Sequence, residues 1–222
     1  MTADATTRFV ILAARRTGSN MLCTLLDAHP EVLCHHELFN PRGVFVALDL
    51  RGRAPLGELE ARDADRRAFL ERVWATRLGH RCVGFKLTIG QVPEVIRALV
   101  ADRGVAKIVL RRRNLLEAFV SEQIAERLDQ WEVYDRAELS VERPRVHVEP
   151  EHLLAHVARV EAFYAGLREG LRSFPLDDHH LGFAWLAVSL SGALEPSAQG
   201  WLLAAAEVVV VAAWRSRASS NR

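Results

Sequence analysis

The sequence predicts an α/β fold in which a central parallel sheet lies between two layers of helices. Three short apolar runs, 9–14 (FVILAA), 81–87 (RCVGFKL) and 106–112 (AKIVLRR), are typical of strands that are buried on both faces. Segments with helical periodicity alternate with these runs, as in βαβ units. Arginine-rich turns follow the first and the last of the three runs. Because ligands of parallel sheets bind at the carboxyl ends of the strands, these turns are the first places to look for a site.

Further elements are expected between and after these strands. Residues 32–40 (VLCHHELFN) are predicted to form a strand or an extended segment, because the following proline disfavours helix just before it. Asn114 and Glu117 have the spacing of a capping box, which indicates a helix start. Apolar periodicity predicts helices at about 20–28, 93–102, 114–131 and 149–172. The mostly polar, arginine-rich region from about 58 to 78 is also expected to be helical.

The whole chain, 1–222, is expected to form one domain with an atypical C-terminal segment, 173–222. Residues 173–214 contain no lysine or arginine, although 29 of the 222 residues of the chain are basic. The apolar run at 201–214 (WLLAAAEVVVVAAW) contains Glu207 and is shorter than the roughly 20 residues that span a bilayer. We therefore predict a buried helix or strand there, and no stable membrane insertion.

Charge and cysteine content limit the classes of partner. The net charge of +1 is too small to attract nucleic acid or acidic membranes, so any anion site must be local. Cys23, Cys34 and Cys82 are far apart and form no CxxC pair, which predicts neither a disulfide framework nor a thiolate metal site. The N-terminus has no secretory pattern. Together these features favour a reducing, cytoplasmic location.

The first arginine turn, RRTGSN, has the composition of an anion cradle. A turn that opens a helix presents unpaired N–H groups together with the positive end of the helix dipole. Gly18 lets the backbone approach a ligand, Thr17, Ser19 and Asn20 offer side-chain donors, and Arg16 can bind a phosphate-like group bidentately. The turn lacks the GxxxxGK[ST] pattern of standard ATPases and GTPases. An ordinary capped turn with solvated arginines is the alternative.

The second arginine turn follows the predicted strand 106–112. Arg113 stands at the end of this strand, and Ser121 lies eight residues later, about two turns along the next helix. Both side chains could therefore converge on one more phosphate. The alternative is that Arg113 is one of many arginines in this chain and that Ser121 only lies on a helix face.

Together the two turns resemble motifs of the sulfotransferases that use 3′-phosphoadenosine 5′-phosphosulfate. The first turn matches the 5′-phosphosulfate loop, [KR]-[ST]-G-[ST]-[ST], except in the last place, where Asn20 stands. Arg113, Asn114 and Ser121 match the motif that binds the 3′-phosphate. The segments RTGSNMLCTLLDAHPEV, HHELFNP and GFKL are most similar in sequence to those of bacterial carbohydrate sulfotransferases of the trehalose type. The resemblance covers roughly residues 8–130.

The resemblance implies a P-loop-like sulfotransferase fold and transfer of a sulfuryl group to a hydroxyl of a carbohydrate or similar small acceptor, without a metal. Such a transfer should run in line, so that positioning and charge neutralisation carry most of the catalysis. Arg16 and the amides of residues 17–20 would hold the phosphosulfate. Glu37, in HHELFNP, would be the base, and Lys86, in GFKL, would contact sulfate or acceptor. A surface lysine at a strand end is the alternative for Lys86.

Other assignments stay open for the histidines. His35 or His36 could act as the base in place of Glu37, or could be loop residues without a catalytic role. Partial burial of Glu37 in this apolar, His-flanked stretch is expected to raise its pKa and strengthen it as a base. A His-His-Glu metal cluster is less favoured, because no further ligands have recognisable spacing. His179 and His180, which follow two aspartates, also have the composition of metal ligands, but we interpret them as part of a polar loop.

The C-terminal segment departs from the family pattern. WLAVSLSGALEP stands where relatives carry an acidic YEDL-like segment, and no glycine-rich basic loop follows it. The chain could therefore be a catalytically impaired nucleotide-binding protein that keeps the cradle, and a phosphotransferase is a third, less favoured possibility.

Loops at 40–80 and 130–150 are expected to form the acceptor pocket. The apolar tail could pack within the core or against a second copy in a homodimer.

Overall fold

A computed structural model describes residues 6–134, 137 and 144–172, together with the backbone of 206–211. Its four parallel strands lie in the order β2-β3-β1-β4. Their bounds are β1 Thr7–Ala13, β2 Val32–His35, β3 Cys82–Thr88 and β4 Val105–Arg112. The predicted α/β fold with a central parallel sheet is confirmed. A fifth strand, β5 (Ala206–Val211), lies within the apolar run 201–214 and pairs antiparallel with β4.

Helices connect the strands in the predicted order. They are α1 Ser19–Asp27, α2 Leu59–Ala64, α3 Arg66–Ala75, α4 Pro93–Ala101, α5 Leu115–Leu128 and α6 Pro150–Leu171, with a short 3₁₀ turn at Leu48–Leu50. The region at about 58–78, predicted to be helical, forms two helices, because Asp65 is extended at φ −149° and separates α2 from α3. Its carboxylate accepts hydrogen bonds from the backbone N–H groups of Arg67 and Ala68, which begins a new helix at that point.

Helices cover both faces of the sheet, because alternate residues of β1 belong to two different apolar clusters. Val10 and Leu12 pack in the larger cluster, to which α3, α4 and α6 contribute. Phe9, Ile11 and Ala13 pack in the smaller cluster with α1. The three-layer arrangement therefore follows from the period-2 alternation along one strand that is buried on both sides.

The second strand is shorter than the predicted extended segment 32–40. After His35 the chain turns, and the carbonyl of Glu37 accepts hydrogen bonds from the N–H groups of Asn40 (3.2 Å) and Phe45 (3.3 Å). This turn places the Glu37 side chain just beyond the carboxyl end of β2. None of the helices in the described part of the chain is long and apolar enough to cross a bilayer. The sequence pair His179 and His180 lies outside the described residues.

Candidate functional site

The turn between β1 and α1, residues 15–20, is called the cradle below. Arg16 (φ 59°) and Gly18 (φ 85°) both adopt left-handed backbone conformations, which folds the turn tightly over the end of β1. The buried Thr17 hydroxyl donates a hydrogen bond of 2.9 Å to the carbonyl of Ala14. The first hydrogen bond of α1 runs from the N–H of Leu22 to the carbonyl of Gly18. The N–H groups of the first helical turn are therefore not used in the hydrogen bonds within the helix. This is the donor arrangement of an anion site.

Tyr164 of α6 fixes the position of the cradle relative to β4. Its buried hydroxyl accepts the N–H of Ala14 at 2.9 Å and donates to the carbonyl of Leu110 at 2.6 Å. Burial raises the pKa of Tyr164 to about 12, so the hydroxyl keeps the proton that it donates. One side chain thereby joins the carboxyl ends of the two neighbouring strands from which both arginine turns depart.

The two predicted phosphate motifs meet at Arg16. The half-buried guanidinium of Arg16 donates from Nε to the Ser121 hydroxyl at 2.8 Å and from Nη1 to the Trp131 carbonyl at 2.6 Å. Burial and, second to it, the neighbouring Arg112 lower the pKa of Arg16 from its ordinary value. An anion between these guanidinium groups would relieve their mutual repulsion.

The second turn presents its arginines differently from the expected arrangement. Arg113 is exposed, whereas the Arg112 guanidinium donates to the Arg16 carbonyl at 3.1 Å and pairs with Glu117 at 2.7 Å. The Nε atom of Arg112 is buried and has no hydrogen-bond partner among the described residues. Sequence reasoning missed Arg112, although as the last residue of β4 it stood at the expected edge of the sheet. Asn114 caps α5 as predicted, by accepting the Glu117 N–H at 3.1 Å.

Glu37 lies beside the cradle in a carboxylate-binding network. Its Oε1 is 3.0 Å from the Nζ of Lys86, and its Oε2 accepts hydrogen bonds from Asn40 (2.6 Å) and Gln91 (2.7 Å). The Lys86 side chain is only 4% exposed, so the alternative of a surface lysine is wrong. The same Nζ also donates to the Oδ1 of Asn20 in the cradle. Lys86 therefore joins the cradle to Glu37.

The expected rise in the pKa of Glu37 is wrong. Burial alone would raise this pKa, but the Lys86 charge and the hydrogen bonds from Asn40, Lys86 and Gln91 outweigh it and lower the pKa below its ordinary value. The network favours the charged form, so Glu37 is a carboxylate at neutral pH and a weaker base than expected. Sequence reasoning missed Gln91, because its contact with Glu37 joins residues that are 54 positions apart.

The two neighbouring histidines have different surroundings. The buried Nδ1 of His35 accepts the N–H of Ala47 at 3.2 Å, which ties the following loop to β2. The Nδ1 of His36 lies 3.4 Å from the hydroxyl of Tyr134. Burial lowers the pKa of His35 to about 4, with smaller effects from His36 and His80. Burial and then the Lys86 charge lower the pKa of His36 to about 4, so both rings are neutral at neutral pH.

In the part of the chain that the structure describes, no three His, Cys, Asp or Glu side chains are grouped as metal ligands would be. No protein-family model matches this chain, no curated protein is significantly similar to it, and no solved structure matches it. Its chemistry must therefore be inferred from the contacts of the site itself.

Proposed function

We propose that this chain is a sulfotransferase that moves a sulfuryl group from 3′-phosphoadenosine 5′-phosphosulfate to a hydroxyl of a carbohydrate or similar small acceptor. The proposal includes a P-loop-like sulfotransferase fold. The observation that carries it is the position of Lys86, whose ammonium group contacts both Asn20 of the cradle and the carboxylate of Glu37. An anion-binding turn and a potential base are thereby only one side chain apart, as an in-line transfer requires.

The residues at the cradle fit a doubly phosphorylated donor. The first turn of α1 offers backbone N–H groups, and Arg16 and Arg112 supply two guanidinium groups close to each other. The buried Nε of Arg112, which lacks a partner among the described residues, is a further donor for an anionic ligand. Arg16 and the helix amides would neutralise the charge that builds on the leaving phosphate, which is where such a reaction needs stabilisation.

Glu37 is the proposed acceptor of the hydroxyl proton. It is ionised at neutral pH because three side chains donate to it. Lys86, held between Glu37 and Asn20, would stabilise the sulfuryl oxygens and keep the acceptor oxygen in line with the bond that breaks. His35 and His36 are neutral at the same pH, but the Nδ1 atom of His35 is already engaged with Ala47. Of these groups, Glu37 is the one in contact with both Lys86 and the loop that follows β2.

A second candidate function is binding of a 3′-phosphorylated nucleotide without turnover. The lowered pKa of Glu37 favours it, because a carboxylate that is saturated with donors accepts a proton less readily. In this function the cradle, Arg112 and Ser121 would keep their roles, while Glu37 and Lys86 would form a structural ion pair.

The experiment that separates these functions is a transfer assay with purified chain, labelled 3′-phosphoadenosine 5′-phosphosulfate and a panel of sugars and other alcohols. We expect labelled sulfate to appear on one acceptor class, and Glu37→Gln to lower the rate of transfer by roughly 10²–10⁴ while the nucleotide still binds. Nucleotide binding without transfer to any acceptor would favour the second function. Transfer from adenosine 5′-phosphosulfate at the same rate would contradict the role given to the 3′-phosphate.

A further inference from the structure

The chain that follows α5 turns back over the cradle. Helix α5 ends at Leu128, and Asp129 adopts a left-handed conformation at φ 46°. The N–H of Gln130 donates to the carbonyl of Ala125 at 3.0 Å, and the N–H of Asp129 donates to the carbonyl of Glu126 at 3.4 Å, as in a Schellman motif. This reversal directs residues 129–134, called the strap below, away from the helix axis.

Two neighbouring residues of the strap engage the cradle. The carbonyl of Trp131 accepts the Nη1 hydrogen of Arg16 at 2.6 Å, and the carboxylate of Glu132 accepts the Nδ2 hydrogen of Asn20 at 3.1 Å. The guanidinium of Arg15 lies over the Trp131 ring, 5.6 Å from its centroid. The strap therefore contacts the cradle through its backbone, through a carboxylate and through an aromatic ring.

The Glu132 carboxylate is bound from three directions. Besides the bond from Asn20, its Oε1 pairs with the Nη2 of Arg51 at 2.8 Å and its Oε2 accepts the hydroxyl of Tyr134 at 2.7 Å. Arg51 also lies 4.9 Å from the centroid of the Tyr134 ring. Burial, followed by the bond to Glu132, raises the pKa of Tyr134 well above its ordinary value, so its hydroxyl stays protonated and donates. A carboxylate with three donors occupies its position stably.

We infer that Glu132 is an internal anion that competes with the anionic ligand for the cradle. This inference rests on the proposed function and adds a regulatory contact to it. Carboxylate, phosphate and sulfate oxygens accept hydrogen bonds from the same kinds of donor. The Nδ2 of Asn20 and the Nη1 of Arg16 already donate to the strap, and they cannot make equally good hydrogen bonds to a ligand at the same time. Binding of the nucleotide therefore requires the strap to release these donors. The apparent affinity is then lowered in proportion to the fraction of molecules with the strap released.

The chain provides a matched control for this competition. Asp129 carries the same charge as Glu132 and belongs to the same strap, but it pairs with Arg42 at 3.2 Å in an exposed ion pair away from the cradle. Asp129→Asn removes one negative charge and keeps a residue that tolerates the left-handed conformation. It therefore reports the general effect of charge, whereas Glu132→Ala also removes the contact with Asn20.

The test is calorimetric titration of the full chain and of both variants with adenosine 3′,5′-bisphosphate. We expect Glu132→Ala to bind at least about tenfold more tightly than the unaltered chain, because the Nδ2 of Asn20 no longer has to be released from a carboxylate. The Asp129→Asn variant should stay within about twofold of the unaltered chain, since its ion pair is exposed and screened. Equal gains in both variants would mean that charge alone acts and would overturn the competition.

Hydrogen exchange separates failure of this inference from failure of the proposed function. We expect the amides of residues 129–134 to exchange faster in Glu132→Ala without nucleotide, and faster in the unaltered chain when adenosine 3′,5′-bisphosphate is bound. If the unaltered chain binds the nucleotide while exchange in the strap and affinity in Glu132→Ala stay the same, the inference is overturned and the proposed function stands. If no variant binds the nucleotide, both are overturned.

Discussion

The two arginine turns both follow parallel strands and both have adjacent arginines, but they differ in physical construction. In the β1–α1 turn, Gly18 at the N-cap provides no side-chain bond, and the backbone N–H groups stay oriented for a ligand. In the β4–α5 turn, Asn114 caps the helix by accepting the N–H of Glu117, and Arg113 is exposed. Adjacent arginines at the end of a parallel strand therefore precede two differently built helix starts, one without a side-chain cap and one capped by Asn114. In the proposed function, the first turn would bind the ligand through its backbone and the second through its side chains.

The largest expected effect concerns the group beside the first turn that would take part in proton transfer. Glu37→Gln should lower turnover by roughly 10²–10⁴, the usual contribution of a general base, while nucleotide affinity stays the same. The change is measured as kcat in the transfer assay, with calorimetric affinity as the control for folding. An unchanged kcat would assign the base to His36, whose Nδ1 contact with Tyr134 is long.

The next effect compares the arginines of the two turns directly. Arg16→Ala should weaken the binding of adenosine 3′,5′-bisphosphate and of 5′-AMP alike, by about 10- to 100-fold. The reason is that it removes a charged donor from the part of the site that holds the 5′-phosphate. Arg113→Ala should weaken binding only of the nucleotide that carries the 3′-phosphate. The exposed Arg113 side chain can reach that phosphate, and its loss leaves the cradle unchanged. Calorimetric titration of each variant with both nucleotides gives the four affinities. Equal losses for both nucleotides in Arg113→Ala would contradict its assignment to the 3′-phosphate.

Acid should destabilise the folded chain through His35, the last residue of β2. The pKa of His35 is 6.5 in an ordinary setting and about 4 in the folded chain, so the unfolded chain binds a proton at a higher pH than the folded one. Its contribution to stability is complete above pH 6.5 and is lost as the pH falls from 6.5 to about 4, by at most about 1.4 kcal/mol per pH unit.

Urea unfolding at several pH values tests this dependence. His35→Gln should reduce the pH slope of the free energy of unfolding between pH 6.5 and pH 4 relative to the unaltered chain. The same slope in the variant and the unaltered chain would show that other groups, such as His36 or the Glu37 carboxylate, dominate acid unfolding.

The smallest effect separates the two helix starts. Asn114→Ala should cost about 1 kcal/mol of the free energy of unfolding, because it leaves the Glu117 N–H without its cap. Gly18→Ala should cost a similar amount, because alanine is strained at the left-handed φ of 85°. Crowding does not contribute, since no atom lies within 4 Å of the added Cβ. Gly18→Ala should also weaken nucleotide binding more than Asn114→Ala does, because Gly18 lets the backbone of the cradle approach the ligand. An equal loss of affinity in both variants would contradict the difference between the turns.

Strand positions and helix starts could be predicted because they depend on local patterns. Buried apolar runs located β1, β3 and β4, and the Asn114 to Glu117 spacing located the start of α5. The break at Asp65 was missed, because the charged residues around it keep a helical composition on both sides. The bounds of β2 were missed because the turn after His35 depends on backbone bonds to Phe45, which no local pattern encodes.

The site could be predicted only in part. Sequence located Glu37, Lys86 and the cradle at one edge of the sheet, since each lies at or near the carboxyl end of a parallel strand. It could not predict the direction of the Glu37 pKa, which depends on Gln91 and Asn40 as well as on burial. Long-range contacts of single polar side chains, such as that between Asn20 and Glu132, leave no periodic signal in a sequence.

The most direct test of the central claim is calorimetric titration of the purified full chain with adenosine 3′,5′-bisphosphate, with 5′-AMP as the ligand that lacks the 3′-phosphate. If the two arginine turns form one donor site, the first nucleotide should bind at least about tenfold more tightly than the second, as loss of a charge-assisted contact predicts. Equal affinities, or no binding of either nucleotide by folded protein, would contradict the claim.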